Sequence, residues 1–132
     1  MPLPVTALYA SLLAGLFILL SVQVIRRRYA TRIALGAGDR RLERAIRAQG
    51  NAAEYLPLGL VLLGLLEGLG LPGWAIHALG TTLLAGRCLH AAGISREPEV
   101  MRWRSLGMAL TFTMLGVAAA ALLGLALGDL VG

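Results

Sequence analysis

The sequence predicts an all-α integral membrane protein built as a bundle of four transmembrane helices. Three observations predict it. Hydrophobic residues make up 58% of the chain and charged residues only 14%, where a soluble domain averages about 25% charged. Four long apolar runs recur, each close to the roughly 20 residues that cross a hydrocarbon core as a helix. All 12 basic residues are arginines, and they flank these runs. The same observations exclude other classes. A chain of 132 residues this apolar lacks the polar surface to coat a water-soluble globule. Disorder needs a chain poor in apolar residues. A disulfide framework needs more than Cys88, the single cysteine. A transmembrane barrel needs strands of alternating polarity, and none is seen. The net charge of +5 does not mark a nucleic-acid binder, because no basic patch is interleaved with aromatics.

The first span covers residues 3–25. Pro4 near its start is tolerated, since a first-turn proline lacks an N–H that would be unpaired anyway. The run is not read as a cleaved signal: it is too long, and its arginines follow it instead of preceding it. The second span covers about 48–69 and the third about 74–92. The third is the shortest before its first charge, Arg87. The turn Gly70 to Gly73, Gly-Leu-Pro-Gly, makes these two an antiparallel hairpin. The fourth span covers 106–127. Residues 29–43 form the longest polar stretch, and Gly36, Gly38 and Asp39 make it a turn between helical ends. The expected organisation is one domain over 1–132, with no internal repeat. Small residues recur every four positions at Ala7, Ser11 and Gly15, and at Gly116, Ala120, Gly124 and Gly128. Such stripes let helices approach closely in lipid, within or between chains.

Arginine placement predicts the topology. Residues 26–47 hold Arg26, Arg27, Arg28, Arg32, Arg40, Arg41, Arg44 and Arg47. The end of the third span and the loop after it hold Arg87, Arg96, Arg102 and Arg104. The Gly70–Gly73 turn and both tails hold none. Arginine-rich loops stay cytoplasmic, so both termini are expected on the non-cytoplasmic side.

The segment 44–60, RAIRAQGNAAEYLPLGL, is the most informative. On a helix, Arg44, Arg47, Asn51, Glu54 and Leu58 share one face at steps of three and four. Most of this stripe enters the membrane, where a carboxylate and an amide are costly unless paired. Pro57 adds an anomaly by removing a backbone hydrogen bond and freeing the carbonyl of Ala53. Two readings stand. One is a buried Arg–Glu–Asn network that only fixes helix register. The other is a polar pocket at the cytoplasmic edge for an anionic or zwitterionic ligand, since guanidinium matches carboxylate bidentately.

The third span repeats the theme, with Arg87, His90 and Ile94 on one face. The fourth opens with Arg102, Trp103, Arg104 and Ser105. Arg102 and Trp103 fit a positive-inside anchor with a belt tryptophan, while Arg104 and Ser105 stand where the apolar run begins and can turn inward. The Arg26–Arg28 run reads as a topology anchor, one of whose arginines can reach a pocket. Glu67 and His77 lie near helix ends and are expected to snorkel. Cys88 beside an arginine is weak evidence for thiol chemistry. No metal-ligand spacing, glycine-rich phosphate loop or Ser/His/Asp set is present.

These residues carry a resemblance. RAQGNAAEYLP at 47–57 resembles the second-helix signature of the MAPEG family, the membrane-associated proteins in eicosanoid and glutathione metabolism. LLAGRCLH at 83–90 and RWRSLGM at 102–108 support it, and the chain is most similar to the small bacterial branch of that family. The resemblance implies a homotrimer in the bacterial inner membrane, with three glutathione sites between neighbouring subunits. It implies that Arg47, Asn51, Glu54 and Tyr55, with Arg44 on the same stripe, hold the tripeptide. Gln49 reaches the adjoining site, and Arg87 and His90 line the third-helix side. Arg26 or Arg27 contributes from the first helix. Arg104 stands at the position of the thiolate-stabilising arginine, followed by Ser105. Two positions depart from members active with glutathione: Ile94, one turn beyond His90, where such members usually carry a tyrosine, and Met108 in the fourth helix, where some carry another. The implied function is glutathione transfer or peroxidase-like chemistry on a lipophilic electrophile. The alternative is a non-enzymatic membrane protein that holds another small anion or lipid in the same pocket.

Overall fold

The computed structural model describes residues 1–132. It is all-helical, with α1 over Pro4–Thr31, α2 over Arg40–Gly68, α3 over Gly73–Ser95 and α4 over Met101–Val131. The four expected elements are present, and all four outrun their apolar runs at the arginine-rich end. Arginine is a strong helix former, so α1 continues through Arg26–Arg28 to Thr31. It stops at Arg32, which takes the left-handed conformation at φ 58°. The Arg28 guanidinium then donates to the carbonyls of Ile33 at 3.2 Å and Gly36 at 3.0 Å. Positive φ at Gly36 and Gly38 turns the chain, and the Asp39 carboxylate caps α2 by accepting from the Leu42 amide at 2.8 Å. The polar stretch expected over 29–43 thus shrinks to a connection over 32–39. α2 runs unbroken through Pro57.

α2 and α3 form the centre and touch every other helix, while α1 and α4 flank them and do not touch each other. This arrangement sorts the sequence by polarity. α1 and α4 are the two helices long and apolar enough to cross a membrane by composition. Only 22% and 17% of their most apolar stretches are buried within the subunit, so those faces meet lipid or a neighbouring chain. α2 and α3, at 29 and 23 residues, have the length to run alongside them. Their hydropathy is lowered by the polar groups they carry inward, Asn51, Arg87 and His90 among them. Leu13 and Leu20 of α1, Leu63 and Leu66 of α2, Ile76 and Leu83 of α3 and Met114 of α4 form the apolar core.

The closest helix approach is between α3 and α4, and it is made by glycines. A methyl group added at Gly93 would lie 2.6 Å from the Arg104 backbone nitrogen, and one at Gly86 would lie 2.9 Å from the Gly107 carbonyl oxygen. The small-residue stripes flagged in α1 and α4 do something else. Gly15, Gly116, Gly124 and Gly128 have open space where a Cβ would stand, and Ala7, Ser11 and Ala120 are exposed. These stripes face outward from the subunit.

At the opposite end, Glu67 does not snorkel. Its two carboxylate oxygens accept from the Val5 and Thr6 amides of α1 at 2.9 and 2.7 Å. The first amides of a helix lack intrahelical acceptors and carry positive charge, so a carboxylate from α2 fixes where α1 begins. His77 is likewise engaged: the Tyr9 hydroxyl lies 3.1 Å from its Nδ1 and 2.8 Å from the Thr81 hydroxyl.

Candidate functional site

The polar stripe of α2 is split by the fold. At about 100° per residue, Asn51 falls only roughly 20° from Arg44 round the helix, while Arg47 and Glu54 fall roughly 60–80° away. The first pair turns into the subunit and is half-buried; Arg47, Glu54 and Leu58 turn out and are exposed. The side chains of Arg47 and Glu54 make no hydrogen bond or ion pair within the chain, neither with each other nor with any other residue. The closed Arg–Glu–Asn network that would only fix register is therefore not formed within one subunit.

Asn51 meets α3 at Arg87. The Arg87 side chain is 2% exposed. Its guanidinium donates to the Asn51 side-chain oxygen, to the Thr111 hydroxyl at 3.0 Å and to the Met108 sulfur at 3.2 Å. It also lies over the Tyr55 ring, 5.2 Å from the centroid, and Tyr55 is set edge-on against Phe112. None of these partners is a carboxylate. A buried cation without a counter-ion is expensive in a membrane, and four neutral or π contacts from α2 and α4 share that cost. His90 and Ile94 are buried on the same face of α3, as their spacing predicts. The backbone of His90 is pressed against Gly107, and its ring makes no hydrogen bond.

Beyond Ile94 lies a cleft of about 250 Å³ at the arginine-rich end, lined by Arg40, Glu43, Arg44, Arg47, Ile94, Glu99 and Arg104. Three helices and one connection build it. α2 supplies the first four residues, α3 supplies Ile94, and the α3–α4 connection and the start of α4 supply Glu99 and Arg104. Arg104 is positioned by the glycine contact at Gly93, which lets the first turn of α4 lie against α3. Arg44 donates to the Ile94 carbonyl at 3.4 Å. Four guanidinium groups against two carboxylates leave the cleft net positive, and one wall opens to the outward face that carries Arg47.

Other expected residues stand apart. Arg26 lines a separate cleft of about 430 Å³ with Gln23, Arg27, Ala30, Arg41, Ala45 and Ser95, between the ends of α1, α2 and α3. Gln49 is half-buried and lines neither cleft, and Ser105 is exposed. The sequence reading passed over two acidic residues. Glu99 accepts from Arg104 at 3.0 Å and lies 3.5 Å from Arg44. Glu97 lies 3.5 Å from both Arg40 and Arg41. Their signal was simple: they are the only acids in a connection crowded by arginines. Thr111 was also missed, and a hydroxyl amid the apolar fourth run was its only mark.

The chain matches the MAPEG family over residues 6–124. It is 42% identical over 112 residues to the inner membrane protein YecN of Escherichia coli strain K12, with 84% of each chain covered. The YecN of Escherichia coli O6:H1 matches to the same extent. The chain belongs to the MAPEG family.

Proposed function

We propose that this MAPEG protein binds glutathione in the arginine cleft and activates it for attack on a lipophilic electrophile, as a transferase or peroxidase of the inner membrane. The carrying observation is the convergence of Arg44, Arg47 and Arg104 on one cleft from helices that flank a buried, uncompensated Arg87. Glutathione brings two carboxylates and a thiol. Guanidinium groups recognise the carboxylates bidentately. Arg104 serves the thiol. A free thiol near pKa 8.5 is only slightly ionised at neutral pH, and a nearby cation favours the thiolate. A shift of two units corresponds to about 2.7 kcal/mol.

The site is shared between subunits of a homotrimer. Arg47 and Glu54 face outward without partners in their own chain, which suits residues that complete a site against a neighbour. The Arg26 cleft and Gln49 offer a neighbour's contribution. The outward small-residue stripes of α1 and α4 suit the helix contacts of such an assembly. The arginine-rich end lies on the cytoplasmic side and both termini on the other.

Detergent-purified protein titrated with glutathione by calorimetry, then given a chloronitrobenzene acceptor, tests the reading. Binding with an ultraviolet thiolate signal that Arg104→Ala removes supports it. Absence of binding rejects it.

A second reading is favoured by one observation. Ile94 lines the cleft and Met108 contacts the buried Arg87, so one departure from the family's tyrosines lies in the cleft and the other at the buried arginine. A pocket so altered suits a non-enzymatic protein that holds another small anion or lipid. Anion binding without a thiolate signal selects it.

A further inference from the structure

The acid that closes the arginine cleft belongs to the α3–α4 connection, and its placement is unusual. Glu99 Oε2 lies 3.0 Å from Nη1 of Arg104 and 3.5 Å from Nη1 of Arg44. Guanidinium groups from α4 and α2 thus converge on a single oxygen, which is the geometry the cleft would offer to the carboxylate of a ligand. The other oxygen of Glu99 has no partner. The side chain is 25% exposed, so it borders the opening instead of being sealed in the core. The residue lies in the non-helical segment between α3 and α4.

The anchors of that segment are elsewhere. The Val100 amide donates to the Gly93 carbonyl at 3.0 Å, Arg96 stacks 4.4 Å over Trp103, and Glu97 faces Arg40 and Arg41. Swinging the Glu99 side chain out therefore breaks its own ion pairs with Arg44 and Arg104 and leaves these anchors of the segment in place. Glu43, the other acid of the cleft, makes no ion pair.

We propose that Glu99 is an internal counter-anion, a carboxylate that occupies the ligand's anion position between Arg44 and Arg104 and is displaced when an anionic ligand binds. The ligand exchanges one set of charge-assisted bonds for another, so Glu99 sets the affinity of the cleft and disfavours weakly acidic competitors. Arg104 is held idle by the same carboxylate until the ligand arrives. This inference rests on the cleft being the anion site of the proposed function.

The test compares wild type with Glu99→Gln by two readouts. The first is peptide-resolved modification of arginines by phenylglyoxal, which needs no ligand; the exposed Arg32 and Arg102 serve as internal references. The second is glutathione affinity by calorimetry. Modification of Arg44 and Arg104 should rise several-fold in the variant while the references stay constant, and glutathione should bind roughly ten-fold more tightly, the scale of one charge-assisted bond. Glu99→Asp, which retracts the carboxylate by one methylene, should move both readouts the same way to a lesser degree, and it stands in if Glu99→Gln does not assemble. Glu97→Gln should leave Arg44 and Arg104 unchanged. Unchanged modification at Arg44 and Arg104, or a fall in glutathione affinity, overturns the assignment. If glutathione binds neither form while modification still rises, the assignment stands and the glutathione reading falls.

Discussion

The Arg87 guanidinium of α3 donates to the Asn51 side chain of α2 deep between the two central helices, and no carboxylate is among its partners. Asn51 and Thr111 act as its oxygen acceptors, so the charge is carried by neutral groups on both neighbouring helices. Asn51→Leu should therefore destabilise the subunit by about 1–3 kcal/mol, the cost of an under-satisfied buried donor. Adding Arg87→Met to that variant should recover part of the loss, because both polar partners are then gone. Thermal unfolding in detergent of the two single variants and the double variant measures the coupling. Strict additivity would show that the contact does not hold α2 to α3.

The glycine contact between α3 and α4 and the outward glycines should separate by phenotype. Gly93→Ala places a methyl group against the Arg104 backbone, an overpacking that costs about 1–3 kcal/mol, and it should lower the melting temperature. Gly116→Leu has open space within the subunit. It should leave the isolated fold intact and weaken association, read as a lower oligomer fraction by native mass spectrometry.

Glu67 closes the first turn of α1 from another helix. Glu67→Ala should cost about 0.5–2 kcal/mol, as loss of a helix cap does, and should speed hydrogen exchange at the Val5 and Thr6 amides. Exchange unchanged at those two amides would remove the clamp from the account of the fold.

Arg47 has no partner in its own subunit, so its loss should be felt by the ligand alone. Arg47→Ala should weaken glutathione binding roughly ten- to hundred-fold, the equivalent of about 1.5–3 kcal/mol for a charge-assisted contact. The melting temperature of the ligand-free protein should stay constant. A large fall in stability with no selective effect on binding would mark Arg47 as structural at a subunit interface.

The orientation is checked by single cysteines in a Cys88→Ser background. Leu35 and Trp74 are 89% and 76% exposed at opposite ends of the bundle. An impermeant maleimide applied to intact cells should label Trp74→Cys and spare Leu35→Cys. The reverse pattern would invert the bundle.

Much of this was legible in the chain because it is set locally. Apolar length, arginine flanks and the turns at Gly36–Asp39 and Gly70–Gly73 define four helices. A period of 3.6 places Arg87, His90 and Ile94 on one face, and all three are buried together. The same period put Arg44, Arg47, Asn51 and Glu54 on one face of α2, and that was true but too coarse. A face of that width has two edges, and only the position of α3 and α4 decides which edge is inside.

The sequence by itself determined a four-helix membrane chain with a polar stripe at its arginine-rich end, because hydropathy and helical period act over a few residues. The tertiary structure alone decided which charges meet. Glu67 finds the amides of Val5 and Thr6 more than sixty residues away, Glu99 reaches Arg44 across the bundle, and Gly93 rather than the regular glycine stripes brings Arg104 to the cleft. No local pattern encodes such pairs. They depend on the distance and rotation between helices, which are fixed when side chains of the whole bundle close-pack.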